Sequence, residues 1–136
     1  MADWNDAIIE EFRRTGGTVE QHGFGRDLVL VHHVGARTGA ERVSPVRGIP
    51  TDDGWLIAAS KGGAPTNPQW FYNLLAHPDV TVETPDDGVV EVRAERLVAE
   101  ERDAGWRRFT ELPNSSFASY EAKTTRVIPV LLLRRR

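Results

Sequence analysis

The sequence predicts a mainly β chain with flanking helices, an α+β domain built on a small barrel of about six antiparallel strands. Three observations predict it. Apolar or alternating runs of strand length recur from Leu28 to Leu133, and Asp-Gly turns join neighbouring runs. The helical stretches are inserted or appended singly, whereas a doubly wound parallel sheet needs them to alternate with the strands.

Trp4, Ile8, Ile9 and Phe12 recur at helical spacing, so an amphipathic helix is expected over about residues 3–14, inside an N-terminal segment 1–16 that Gly16-Gly17 brings to a stop. It is expected to act as a lid on the barrel. Leu28 to Val34 reads as the first strand, and Gly35 to Glu41 as a turn-rich connection to a second over Val43 to Ile49, the two pairing as a hairpin. Thr51-Asp52-Asp53-Gly54 turns the chain into Trp55 to Ala59, and Pro85-Asp86-Asp87-Gly88 joins Val80 to Val82 with Val89 to Leu97. In the longer strand Val90, Val92 and Ala94 alternate with Glu91, Arg93 and Glu95, which gives one buried and one wet face. Ile128 to Leu133, apolar throughout, is the last strand. Helices are expected over Pro68 to Ala76, about Glu100 to Glu111 with Trp106 and Phe109 on one face, and in a short turn near Ser116 to Ala122.

At 136 residues the chain is long enough for one domain, 1–136, with a single core, so a ligand site lies on that core or between two copies of it. Monomer and homodimer both stay open. A formal charge of −3 argues against the broad positive field of a nucleic-acid binder. No segment approaches the run of about 20 apolar residues that crosses a bilayer. The acidic, mixed N-terminus lacks the basic start and apolar stretch of a secretory signal, so a cytoplasmic location is expected. With no cysteine, redox work falls to a bound organic cofactor. No metal site is expected: His32 and His33, as strand neighbours, point to opposite faces with no patterned carboxylate, and packing or hydrogen bonding explains them better. Arg134-Arg135-Arg136 reads as a solvated, frayed end.

Chemistry concentrates in two stretches. Arg37 and Arg42, five residues apart, flank the Gly35–Glu41 hairpin loop, and paired guanidiniums suit phosphate oxygens; the bland alternative is a solvated hairpin tip. In Ala59-Ser60-Lys61-Gly62-Gly63-Ala64-Pro65-Thr66-Asn67-Pro68-Gln69-Trp70 a strand runs into a glycine bend, a lysine and a helix start, with Asn67 as N-cap and Pro68 in the first turn. Such a bend suits a phosphate, or is no more than a turn entering a helix. The spacing is not that of a Walker loop.

Together, Gly-Ala-Arg-Thr-Gly-x-x-Arg-x-Ser-Pro (35–45), Ala-Ala-Ser-Lys-Gly-Gly-Ala-Pro-x-Asn-Pro-x-Trp-x-x-Asn-Leu (58–74) and Tyr-x-x-x-Thr-x-Arg-x-Ile-Pro-Val (120–130) resemble the deazaflavin-dependent nitroreductase and quinone reductase family of the flavin-binding split β-barrel class. The resemblance covers about Leu28 to Leu133. It implies a split barrel that uses coenzyme F420 to pass hydride to a small organic acceptor, a quinone, nitro compound or activated enone. It further implies that Arg37, Arg42 and Lys61 hold the coenzyme phosphate and its neighbouring groups, with Thr38, Ser44, Pro45, Ala59, Ser60, Gly62 and Gly63 close by, and Trp70 and Asn73 lining the same pocket. Without the resemblance, Trp70 reads as a core aromatic. Tyr120 matches a family tyrosine whose hydroxyl serves the acceptor oxygen, with Ser60 as the other candidate donor.

Three departures bear on the acceptor. Arg47 stands where nitroreductase members often place an aromatic, Phe117 aligns near another frequent tyrosine, and Gln69 precedes the tryptophan where an apolar residue is common. Arg47 points toward a more polar or anionic acceptor. The chain also reads as slightly longer around Asn114 to Ser116. Two rivals stand beside this reading: a split-barrel oxidoreductase that binds FMN, and a non-catalytic deazaflavin carrier.

Overall fold

The computed structural model describes residues 4–112 and 116–136; the lengthening expected around Asn114 falls largely outside them. Along the chain come α1 (Trp4–Thr15), β1 (Leu28–Val34), β2 (Glu41–Arg47), β3 (Ile49–Pro50), β4 (Gly54–Ala58), α2 (Gln69–Ala76), β5 (Asp79–Thr84), β6 (Gly88–Arg96), α3 (Ala99–Thr110), α4 (Phe117–Ala122) and β7 (Val130–Arg135). Single 3-10 turns lie at Gln21–Gly23 and Lys61–Gly63.

The two longest apolar runs form strands covered on both faces, which is why neither alternates. Val29 and Val31 of β1 and Leu131 and Leu133 of β7 turn into an inner core with Trp55, Ile57, Phe71, Leu74 and Val82. Leu28 and Leu30 turn outward onto Ile8 and Phe12 of α1, and Val130 and Leu132 turn outward onto Trp106, Phe109 and Phe117. The N-terminal helix thus covers the outer wall at β1 and β2, not an open end as a lid would.

The sheet has seven strands, in the order β2-β1-β5-β6-β7-β4-β3, all pairs antiparallel. The seventh strand arises because the expected run Val43 to Ile49 breaks at Gly48. There the backbone N–H donates to Asp27 O at 2.9 Å, and a Cβ would come within 3.1 Å of Val29. The sheet curls into a split barrel whose free edges are β2 and β3, and β2 approaches β4 across the seam. Among the described residues no helix is long and apolar enough to cross a membrane.

Two local expectations are corrected. The residue flanking α2 at its N-terminal end is Pro68, with extended backbone, not Asn67, whose side chain is drawn away to Arg126 and Tyr72. The C-terminal arginines are not frayed: Arg134 pairs with Glu95, Arg135 pairs with Asp87 and lies over the Trp55 ring, and Arg136 donates to Val92 O and Val80 O.

Candidate active site

The loop between β1 and β2 folds on itself. Gly35 N–H donates to Ala40 O and Gly39 N–H to Gly35 O, both at 2.9 Å, and Thr38 Oγ1 accepts from Ala40 N at 3.2 Å. Gly39 has φ +71°, a conformation that suits glycine. This tight loop presents Arg37, and Arg42 follows at the start of β2. Neither guanidinium has a carboxylate partner among the described residues, although Arg13, Arg26, Arg93 and Arg134 all do. Arg37, Thr38 and Arg42 face Gln69, Tyr72 and Asn73 of α2 across an open cleft of about 600 Å³.

A buried polar chain fixes this cleft. Asn73, 1% exposed, accepts Ala36 N–H on Oδ1 at 3.0 Å and Gln69 Nε2 at 3.2 Å. Its Nδ2 lies 2.9 Å from His33 Nδ1, and His33 Nε2 lies 2.9 Å from Ser44 Oγ. Because a backbone N–H occupies Oδ1, the Asn73 amide must present Nδ2 to the ring, so His33 carries its proton on Nε2 and donates to Ser44. Burial, then the charge of Arg42, pushes the His33 pKa down to about 4, so the ring is neutral at pH 7.

The Lys61 loop is held from below. Arg126 donates to Ala59 O at 3.2 Å, Ser60 O at 2.9 Å, Ala64 O at 2.9 Å and Asn67 Oδ1 at 2.6 Å. Gly63 has φ +85°, and a Cβ there would meet Tyr120 O at 2.8 Å, so only glycine lets α4 rest on this turn. Gly63 N–H is not free for a phosphate, because it donates to Ser60 O at 3.0 Å. Lys61 itself is exposed, with Nζ 3.5 Å from Thr66 Oγ1.

At the far end of β2 a second pocket, about 530 Å³, is lined by His22, Phe24, Asp27 and Arg47 on one side and by Ser116, Phe117 and Tyr120 on the other. Arg42 and Arg47 are at opposite ends of the same strand, about 17 Å apart at roughly 3.3 Å per residue, with their side chains on opposite faces of it. Between the pockets lies the unpaired edge of β2, facing the seam.

Of the sequence-derived residues, Arg37, Thr38, Arg42 and Asn73 meet in the first cleft, and Arg47, Phe117 and Tyr120 meet in the second pocket. Ser60, Lys61, Gly62 and Gly63 form the turn beneath α4. Ser44 is tied in through His33, and Pro45 of β2 pairs with Leu30 of β1. Ala59 is fully buried in the inner core, and the partly exposed Trp70 packs against that core beside the first cleft's helix α2. The sequence reading missed the linking role of His33, the Arg126 clamp, and the contributions of Tyr72, Phe24 and Asp27; Gln69, read there as bearing on the acceptor, lines the first cleft. Arg126 does lie within the C-terminal motif, but nothing local shows that it reaches back some sixty residues.

A split barrel with a cationic, glycine-bearing cleft at one end of a free strand edge and an aromatic pocket at the other defines a cofactor-binding protein of the flavin-type split-barrel class. A solved FAD-binding protein from Mesorhizobium loti has this fold at a TM-score of 0.50 and 17% identity, covering 79% of this chain and 78% of that one. Residues 5–135 match the F420H(2)-dependent quinone reductase family, and the chain belongs to that family. It is 32% identical to an F420H(2)-dependent quinone reductase of Mycobacterium tuberculosis, over 97% of this chain and 88% of the relative. It is also similar to a solved F420-H2 dependent reductase, FDR-A, at a TM-score of 0.70 and 34% identity, covering 80% of this chain and 95% of that one. The chain is thus an oxidoreductase whose cofactor is coenzyme F420.

Proposed function

We propose that this chain passes hydride from reduced coenzyme F420 to a quinone, with the coenzyme phosphate held in the first cleft and the acceptor taken into the second pocket. The observation that carries the reading is the pair Arg37, on the tight loop, and Arg42, at the start of β2, two guanidiniums at the mouth of the cleft that have no carboxylate partner among the described residues. A guanidinium fork matches phosphate oxygens, and a cleft of about 600 Å³ is in the range of small-molecule sites, about 300–1,000 Å³. These residues fit the coenzyme's phosphate.

When bound, the coenzyme supplies a carbon-centred hydride donor that does little one-electron chemistry. The chain's own residues do the rest. Arg37 and Arg42 bind the phosphate, and Lys61 adds a third positive charge on the loop that Arg126 clamps. Asn73, His33 and Ser44 hold the arginine loop against α2. Phe117 and Tyr120 wall off the acceptor pocket from water on the α4 side. The Tyr120 hydroxyl is the proton donor to the acceptor oxygen, and Ser60, at the turn on which α4 rests, is the alternative donor.

The test mixes purified protein with reduced coenzyme and menadione, follows reoxidation, and repeats it with Arg42→Ala and Lys61→Ala. Reoxidation is expected to depend on the protein. Each variant is expected to raise the coenzyme Kd about tenfold or more, the usual worth of one charge-assisted hydrogen bond, about 1.5–3 kcal/mol. A protein that purifies yellow with an ordinary flavin spectrum and ignores the deazaflavin would falsify this reading in favour of FMN.

A further inference from the structure

The second pocket holds a guanidinium that its surroundings do not use up. The Arg47 side chain is 24% exposed, and its Nε is enclosed with no hydrogen-bond acceptor among the described residues. The carboxylate of Asp27 reaches Nη2 at 3.6 Å from a side chain that is itself 65% exposed, and no other carboxylate pairs with Arg47 among the described residues. A buried cationic donor without an acceptor is costly, and an anion entering the pocket relieves that cost as the Arg47 side chain turns toward it.

What surrounds Arg47 defines the rest of the ligand. Phe24, Phe117 and Tyr120 supply aromatic walls, with Phe117 and Tyr120 edge to face at 5.5 Å. The Lys123 ammonium lies 5.9 Å from the centre of the Tyr120 ring and adds a second positive charge behind that wall. Planar rings pack well against such faces. The charge count favours a monoanion: a carboxylate can replace Asp27 on the guanidinium one charge for one, as the exposed Asp27 side chain swings into water, whereas a dianionic phosphate would bring a second negative charge to a site whose other cation, Lys123, lies behind the Tyr120 wall.

We propose that this pocket selects planar aromatic acceptors bearing a carboxylate, with Arg47 as the residue that sets the preference. The inference rests on the reading of this pocket as the acceptor site. The redox step keeps its balance: the acceptor ring gains two electrons and one proton as hydride and takes a second proton from a donor, while the carboxylate is unchanged. Arg47 binds the carboxylate and so holds the ring among the aromatic walls.

Two matched pairs test it. Calorimetry compares 2-naphthoate with 2-naphthamide, neither of which is reduced, and steady-state turnover compares 1,4-naphthoquinone-2-carboxylate with its carboxamide. The expected result is at least about tenfold tighter binding of the naphthoate and a kcat/KM ratio of similar size for the quinone acid. Both ratios should fall close to one in Arg47→Gln and be partly kept in Arg47→Lys, which also guards against loss through misfolding. Equal binding of the naphthalene pair by the unaltered protein, or ratios that survive in Arg47→Gln, overturns the inference while the acceptor reading stands. Failure to reduce either quinone, with the naphthoate preference intact, overturns the acceptor reading and this inference with it.

Discussion

His33 reaches none of the space a ligand would fill, yet it ties the coenzyme cleft together. Its ring joins Ser44 on β2 to Asn73 on α2, and Asn73 in turn holds the backbone of Ala36, next to Arg37. Only the neutral ring can serve, because protonated Nδ1 would meet the Nδ2 hydrogens of Asn73. The folded pKa of about 4 lies below the ordinary His value of about 6.5, so the unfolded chain binds the proton more readily than the folded one. This contribution to stability is full above about pH 6.5 and is lost as pH falls toward about 4. Glu11 and Glu83 also have lowered pKa values, through hydrogen bonds from the Glu20 backbone and from Arg13, but they act at lower pH, below the ordinary carboxylate range. Denaturant melts between pH 7 and pH 5 should therefore show falling stability in the native protein and a flatter profile in His33→Gln. Parallel profiles would remove His33 as the cause.

At the scale of elements, the Ala59–Asn67 segment, a connection with a single 3-10 turn, is held in place by a side chain distant in sequence. It carries Ser60 and Lys61, supports α4 through Gly63, and leads into α2, so both pockets inherit its position. Arg126 spans four oxygens across it. Removing the guanidinium takes the side-chain donor from Ala59 O, Ala64 O and Asn67 Oδ1, while Ser60 O keeps Gly63 N–H, at a cost of about 1–3 kcal/mol for each oxygen left unpaired that water cannot reach. Arg126→Ala is expected to lower the melting temperature by several degrees and to speed amide exchange in residues 59–67, while β1 and β5 keep their protection. The coenzyme Kd should rise with it, by about tenfold, because Lys61 loses its fixed place. Exchange that rises evenly over the whole chain would instead mark a general loss of stability and no clamp.

For the whole molecule, what could be read from the sequence divides by range. The strands β1 and β7, the two Asp-Gly hairpins and the cationic loop were legible because their signals are local: apolar runs, turn residues, and two arginines within one hairpin. Asn67 was misread as a cap because Arg126, fifty-nine residues away, competes for its carbonyl oxygen. The C-terminal arginines were misread for the same reason, since Asp87, Glu95 and the carbonyls of Val80 and Val92 reach them only once the sheet has closed. The second pocket unites Phe24, Arg47 and Tyr120 from three separate segments, so motif resemblance could name some of its walls but not its shape.

Because Arg37 and Arg42 lie at the surface and make no ion pair among the described residues, the fold does not rely on them, and coenzyme binding can be separated from folding by removing both. A ligand at one hundred times its Kd stabilises the folded state by about 2.7 kcal/mol. With an unfolding entropy of about 2.1 cal/mol/K per residue, that raises the midpoint of a chain this long by about 9 °C. The native protein should show a shift of that order with oxidised coenzyme F420. The double variant Arg37→Ala/Arg42→Ala should melt within about 4 °C of the native protein when ligand-free, since each surface change usually costs under about 0.5 kcal/mol, and should lose most of the ligand-induced shift. A double variant that keeps the full shift would move the phosphate away from the first cleft, leaving Lys61 and its turn as the remaining cationic anchor.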